Sequence, residues 1–143
     1  MQALLEYIKK TKTSDYSAVS LCYSNNHRVT GILIHGRDHD FVLDTNDYIN
    51  TDFESVLSYQ DHTLDGWRLG TGEEWEDIGE HLDEINELLK ECGGDQISSK
   101  KVYWTGEKDR HERYMALVFE TYLKKVRLAS IYNKFTIRAI KKL

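Results

Sequence analysis

The segment 71–94 constrains the fold of this chain more than any other. Thr71 and Glu74 have the spacing of a capping box, in which each side chain bonds to the other residue's backbone N–H. Large apolar residues then recur at helical spacing, and Gly93-Gly94 supplies the glycine that commonly ends a helix. The apolar residues are Trp75, Ile78, Leu82, Ile85, Leu88 and Leu89. The pattern predicts a helix over 73–91 with one face buried against another element.

After Gly94 the apolar pattern changes to a period of two, which indicates β-strands. Four runs have this pattern, and charged residues fill the connections between them. They predict four antiparallel strands at 101–105, 114–121, 124–129 and 135–140. Tight connections are expected at Tyr122-Leu123 and at 131–133.

The N-terminal half predicts a mixture of short elements. Leu4, Leu5 and Ile8 have helical spacing, so a short helix is expected over 2–11. Alternating residues predict strands at 17–23, 28–35 and 40–44. Thr51 and Glu54 match a second capping box, ahead of a short helix that would bury Phe53, Val56 and Leu57.

This order of elements predicts an α+β fold with an antiparallel sheet, two central helices and an extra N-terminal helix. A chain of 143 residues matches one domain with one core. We therefore expect an N-terminal helical extension over 1–16 and one domain over 17–143.

The net charge of −5 conceals an asymmetry along the chain. Residues 1–99 hold 7 Lys and Arg against 20 Asp and Glu, whereas residues 100–143 hold 12 against 4. An acidic helix packed beside basic strands would explain this distribution. Binding of nucleic acid by the basic C-terminal third is the alternative, although no aromatic nucleic-acid signature accompanies the charge.

Residues 65–75 read DGWRLGTGEEW, and this segment resembles the GWRLPT-x-x-EW signature of bacterial C-type-lectin-like domains. Further similar segments follow in the family's order. Tyr103-Trp104-Thr105 is similar to a YWSS strand, 116–119 to an A-x-x-V-x-F strand, and 138–140 to the terminal strand. Upstream, 29–34 and 41–43 resemble the opening hairpin. The family proline after Arg-Leu is Gly70 here, and residues 1–16 have no counterpart in the pattern.

The resemblance implies a C-type-lectin-like scaffold of the kind found in Bacteroidetes surface domains, phage-related domains and relatives of the formylglycine-generating enzyme. That enzyme holds copper with two cysteines near the C-terminal end of the fold, and this chain has no cysteine after Cys92. The sugar-binding lectins hold calcium with a proline-containing loop, and this chain has no proline. We therefore expect neither catalysis nor a cofactor.

Other candidate chemistry is weak. His35, Asp38, His39 and Asp40 lie within six residues and suggest a metal site, but a polar hairpin tip explains them more simply. Cys22 and Cys92 are expected to be buried thiols rather than a disulfide. Arg68 and Arg138 lie among apolar residues, so we expect each to form a structural ion pair.

In C-type-lectin-like domains the ligand face is formed by loops that project from the upper strands. The corresponding stretch here is 106–113, with 130–133 expected nearby. The predicted ligand-binding residues are Tyr103, Trp104, Glu107, Lys108, Asp109, Arg110, His111, Arg113, Tyr132 and Asn133. A solvated hairpin explains the same stretch without a ligand.

The sequence thus predicts a non-catalytic binding module for an unidentified protein or polar ligand. A nucleic-acid-associated protein is one alternative, and a self-associating assembly subunit using Leu4, Leu5 and Ile8 is another. The start of the chain does not resemble a secretory signal, and no apolar run approaches the ~20 residues of a membrane span. We expect a cytoplasmic or virion-associated protein without a membrane partner, or one whose signal has been removed.

Overall fold

A computed structural model describes residues 6–9, 18–61 and 66–143, the first of these ranges by its backbone. Within them, one sheet has six strands in the order β1-β2-β3-β4-β11-β6, and every neighbouring pair is antiparallel. The strands are β1 (Glu6–Lys9), β2 (Val19–Ser24), β3 (Val29–His35), β4 (Asp40–Leu43), β6 (Trp67–Arg68) and β11 (Ile140–Lys142). The C-terminal strand therefore lies beside the N-terminal hairpin.

The second sheet has five strands in the order β5-β10-β7-β8-β9. They are β5 (Asn50–Thr51), β7 (Val102–Lys108), β8 (Met115–Glu120), β9 (Lys125–Ser130) and β10 (Phe135–Thr136). β7, β8 and β9 form an antiparallel meander, whereas β10 runs parallel to β7. The turns predicted at 122–123 and 131–133 are both present.

Three helices connect the sheets: α1 (Phe53–Asp61), α2 (Gly72–Glu80) and α3 (Leu82–Cys92). The predicted capping box is confirmed, since Thr71 accepts from the Glu74 amide and Glu74 accepts from the Thr71 amide. Gly93 ends α3 at a φ of 79°, the left-handed conformation that glycine adopts without strain. The predicted single helix is divided at His81, whose φ of −120° is not helical.

The core lies on both faces of the five-stranded sheet. On one face, the apolar stripe of α2 and α3 lies in a single core with residues of both sheets. Trp75 of this stripe stacks against Tyr103 and Phe119, which are neighbours on that face. On the other face, α1 covers a cluster that includes Phe53, Trp104 and Ile137. Both faces of β7 are therefore buried.

Four expectations need correction. Residues 6–9 form an edge strand on β2 instead of part of a helix, because tertiary pairing outweighs a short helical pattern. The residues predicted as one strand, 135–140, contribute to both sheets through β10 and β11.

The other two corrections concern α1. Asp52, not Thr51, caps this helix by accepting from the Ser55 amide. Leu57 is exposed, so two of the three residues expected to be buried in that helix, Phe53 and Val56, are buried.

The described residues thus combine three helices with two sheets rich in antiparallel pairs, in agreement with the predicted α+β class. The other residues of the predicted helical extension, 1–5 and 10–16, lie outside the described part of the chain, as do Leu4 and Leu5. None of the helices in the described ranges has the length and apolar character needed to cross a membrane.

Candidate functional site

The β7–β8 loop and the β9–β10 turn meet at one end of the five-stranded sheet. The Ile131 amide donates to the Tyr114 carbonyl at 2.9 Å, and Met115 pairs with Ser130 in the adjoining strands. This confirms the prediction that residues 130–133 lie near the charged loop. The antiparallel meander is the cause, because it places the start of β8 beside the end of β9.

Two tyrosines form an exposed stack where these connections meet. The ring centroids of Tyr114 and Tyr132 lie 6.0 Å apart at an interplanar angle of 29°. Their exposed fractions are 51% and 72%. The Arg113 guanidinium carbon lies 5.5 Å from the Tyr114 ring centroid, within the range of a cation–π contact. Exposed aromatic and arginine side chains are the types that most often dominate binding energy at interfaces.

We call this surface the Tyr114–Tyr132 patch and define it by six exposed residues of the two connections. They are Arg110, His111, Arg113, Tyr114, Tyr132 and Asn133. Five were predicted from the sequence. Tyr114 was missed because it stands at the start of a predicted strand, although its position beside a charged loop was a usable signal.

Asp109 shapes the loop that carries this patch. Its carboxylate accepts from the amides of His111 and Glu112 at 3.2 and 2.7 Å, and its own amide donates to the Met115 carbonyl at 3.1 Å. Such bonds are characteristic of Asp in turns. Asp109 therefore positions the loop, and its carboxylate oxygen is already engaged with backbone amides.

Glu107 has a structural contact as well. Its carboxylate accepts from the Gly72 amide at 2.6 Å, at the N-terminus of α2. A carboxylate at this position satisfies one of the amides left unpaired in the first helical turn and interacts favourably with the helix dipole. Lys108, the next residue, is exposed at the end of β7. Glu107 thus connects α2 to the strand that leads into the loop.

Tyr103 and Trp104 are corrections to the predicted site, because neither has surface available to a ligand. Adjacent residues on a strand point to opposite faces, and both faces of β7 are covered. The Tyr103 hydroxyl donates to Asp47 at 3.0 Å, and burial raises the pKa of this phenol above its ordinary value. The Trp104 indole donates to the Thr51 carbonyl at 2.6 Å. Both residues belong to the core.

Arg68 forms the ion pair that the sequence predicted. Its guanidinium donates to both carboxylate oxygens of Glu74 at 2.8 and 2.7 Å. His39 approaches the same carboxylate, with its Nε2 at 2.6 Å from the Oε2 atom. Glu74 is buried, so these partners hold its charge in the interior. His39 therefore joins the β3–β4 turn to α2.

Arg138 also forms a structural pair, between the two sheets. Its Nε donates to Asp47 at 2.7 Å, and the same guanidinium binds the carbonyls of Asp44 and Asp95. Asp47 also binds Lys101. Arg138 is completely buried, at the point where the chain passes from β10 to β11. Its role is to satisfy polar groups where the two sheets meet.

Several basic residues of the C-terminal third are thus engaged within the protein. Besides Arg138 and Lys101, Arg127 pairs with Glu120 at 3.0 Å, and the ammonium of buried Lys141 lies 5.3 Å from the Trp67 ring centroid. The acidic helix α2 packs against β9, which holds Lys125 and Arg127, and against β8, which holds no basic residue. These contacts reduce the cationic surface available for a nucleic-acid backbone.

The described residues also include a shallow hollow that the sequence did not predict. It has a volume of about 450 Å³ and lies between α1 and the segment before β5. Its lining residues are Tyr48, Ile49, Ser55, Ser58 and Tyr59. The rings of Tyr48 and Tyr59 lie 5.1 Å apart. This hollow lacks the basic residues that the loop end of the meander presents.

The remaining candidate chemistry concerns metals and thiols. In the part of the chain that the structure describes, no three His, Cys, Asp or Glu side chains converge in a way that would hold a metal ion. His35 instead pairs with Asp40 at 3.0 Å across the base of the hairpin. Cys22 and Cys92 are both thiols, the first buried and the second half-buried.

A scan against protein-family models and a search of curated proteins find no match to this chain. The site is therefore characterised by its own geometry.

Proposed function

We propose that this chain is a non-catalytic binding module that recognises a protein or polar ligand through the Tyr114–Tyr132 patch on a C-type-lectin-like scaffold. The exposed Tyr114 and Tyr132 pair, with Arg113 against it, is the observation that carries the proposal. The two aromatic side chains offer a large contact area with only two rotatable bonds each. Ordering them on binding therefore costs little entropy.

The construction of the patch favours recognition over a purely solvated hairpin. The loop is held by Asp109, and the neighbouring connection is joined to it through the Tyr114 carbonyl. The paired strands β8 and β9 position both tyrosines. A prearranged surface loses less free energy on binding than a mobile one.

The placement of the similar segments supports the scaffold proposal. Residues 29–34 and 41–43 pair as the β3–β4 hairpin, Tyr103-Trp104 lies in β7, and 116–119 lie in β8. The capped helix α2 begins where the signature requires it. The C-terminal strand β11 returns to pair with β4. Of the similar terminal segment 138–140, only Ile140 lies in this strand.

The experiment is affinity capture followed by measurement on the captured partner. The full chain isolates a binding protein or ligand, whose Kd is then measured for wild type, Tyr132→Ala and Arg113→Ala. We expect each variant to weaken binding about tenfold or more, with an unchanged melting temperature.

Tyr122→Ala is the matched control, because Tyr122 is equally exposed but lies at the opposite end of β8. Its Kd should equal that of wild type. An unchanged Kd for both patch variants, or an equal loss for the control, would contradict the proposed site.

A further inference from the structure

The turn between β8 and β9 exposes two large apolar side chains side by side. Tyr122 and Leu123 have exposed fractions of 75% and 56%. The Lys124 amide donates to the Thr121 carbonyl at 3.1 Å and closes the turn. Lys124 has a φ of 55°, in the left-handed region. This turn lies at the opposite end of the meander from the Tyr114–Tyr132 patch.

The residues of this turn are poorly suited to making a turn. Positions of positive φ in such hairpins favour Gly or Asn, and the preceding positions favour small polar residues. Lys at position 124 strains the backbone, while Tyr122 and Leu123 place apolar surface in water. A natural sequence that departs from local preference at adjacent positions usually does so for function. We therefore expect the exposed side chains of this turn to have a function of their own.

Lysines surround the two apolar side chains. Lys124 and Lys125 follow them directly and are exposed. The Thr121 amide donates to the Lys101 carbonyl, which brings exposed Lys100 to the same end of the sheet. We call the set Lys100, Tyr122, Leu123, Lys124 and Lys125 the hairpin tip.

Two acidic side chains in this part of the molecule have cationic partners of their own. Glu120 pairs with Arg127 at 3.0 Å. Glu80 lies next to Gly79, the helical residue that faces Lys124, and its carboxylate is 4.0 Å from Arg37. The hairpin tip itself holds three lysines and no acidic residue, although the chain as a whole carries −5.

We propose that the hairpin tip binds the surface of an anionic membrane, independently of the proposed function and contrary to the expectation from the sequence of a protein without a membrane partner. Tyr and Leu enter the interface between headgroups and acyl chains, where amphipathic and apolar side chains are stable. The lysines bind the anionic headgroups, and each one close to such a surface raises partitioning about fivefold. The anionic surface repels the acidic remainder of the chain, so the protein approaches the membrane with the hairpin tip in front.

The shape of the tip favours a membrane over a protein partner. A stable protein interface buries about 800 Å² on each side, whereas a hairpin turn presents two apolar side chains and little flat surface around them. A projecting turn of this kind can insert between lipid headgroups without a complementary cavity.

The test is co-sedimentation of the full chain with large unilamellar vesicles. We expect binding to vesicles of phosphatidylcholine mixed with phosphatidylserine, little binding to phosphatidylcholine alone, and a loss of binding as salt is raised. Replacing both apolar residues, as Tyr122→Ser with Leu123→Ser, should reduce the partition coefficient at least tenfold.

Lys124→Gly provides the sharper variant, because it moves two measurements in opposite directions. Glycine relieves the backbone strain and raises the melting temperature, while loss of the charge lowers partitioning about fivefold. Lys134→Gly removes the same charge by the same replacement in the β9–β10 connection, and should leave partitioning unchanged.

Results of two kinds would overturn the proposal. One is the absence of binding to the anionic vesicles at low salt, or equal binding by Lys124→Gly and wild type. The other is self-association in sedimentation velocity that Lys124→Gly abolishes, because the tip would then bind a second copy of the chain.

Discussion

At the scale of single residues, Glu74 has the most demanding position in the molecule. Burial alone would raise the pKa of its carboxyl, but hydrogen bonds from Arg68, the Thr71 amide and His39 outweigh that effect and lower the pKa to about 2. Its ordinary value is 4.5. The Glu74 carboxylate therefore caps α2 and joins this helix to β6 and to the β3–β4 turn.

This lowered pKa predicts a pH-dependent stability. A carboxyl whose folded pKa is below its unfolded pKa stabilises the fold above the unfolded value, and that stability is lost as pH falls from about 4.5 towards 2. The shift corresponds to about 3 kcal/mol of unfolding free energy. We expect Glu74→Gln to lower stability at pH 7 and to flatten its pH dependence in this window, as measured by urea unfolding.

Glu73→Gln is the control for this variant, because Glu73 is exposed in the same helical turn. It should retain both the stability and the pH profile of wild type. A wild-type pH profile in Glu74→Gln would show that Glu74 does not carry the acid sensitivity.

At the residue scale, sequence reasoning succeeded where burial alone dictated a contact. Arg68 and Arg138 were expected to pair because a charge among apolar residues needs a partner, and both do. It failed for Tyr103 and Trp104, which were assigned to a ligand surface. The period of a strand shows that the two point to opposite faces, but not that both faces are covered.

At the scale of elements, β7 and α2 are joined through Glu107. A residue predicted to contact ligand instead caps the helix at Gly72. The same strand ends in the loop of the Tyr114–Tyr132 patch. Stability and recognition are thus assigned to neighbouring residues of one segment.

Glu107→Ala should separate these roles. Loss of the carboxylate at the helix N-terminus is expected to cost about 1 kcal/mol of unfolding free energy, measured by denaturant unfolding. The affinity for the captured partner should be unchanged. Lys108→Ala is the control and should leave the free energy of unfolding unaltered. If Glu107→Ala reduced the free energy of binding by more than the free energy of unfolding, Glu107 would belong to the binding surface.

The elements also show where local patterns stop being informative. The buried stripe of α2 and α3 was predicted correctly from spacing, yet the break at His81 was not, since the stripe continues across it. Residues 135–140 alternate as one strand would, but Arg138 lies where the chain crosses between sheets. Alternation indicates extended backbone and does not identify the strand's neighbours.

At the scale of the whole molecule, the strands of a sheet differ in whether they have a partner strand on both sides. β8 has a neighbour on each side, whereas β9 is an edge of the five-stranded sheet. Edge strands have backbone groups without a partner strand and open at lower free energy. We therefore expect slower amide exchange in β8 and β4 than in β9, measured by hydrogen–deuterium exchange with mass spectrometry. Protection of β9 equal to that of β8 in the isolated chain would indicate that a second copy covers this edge.

Local spacing in the sequence predicted the α+β class, the capped helix at Thr71, the glycine stop at Gly93 and the first three of the four antiparallel strands expected after Gly94. These features depend on residues close together in the chain, whose spacing and backbone preferences are visible without the fold. The proximity of the β7–β8 loop to the β9–β10 turn also followed, because antiparallel neighbours bring their connections together.

The three-dimensional fold was needed to establish which side chains remain at the surface. It buried Tyr103 and Trp104, engaged Glu107 and Asp109 with backbone amides, paired residues 6–9 with β2, and left Tyr114 and Tyr122 exposed. Each outcome depends on elements distant in the chain that cover, or leave open, a given face. The segment 71–94 illustrates both levels: its spacing required a buried face, and the fold supplied Tyr103 and Phe119 to pack against Trp75.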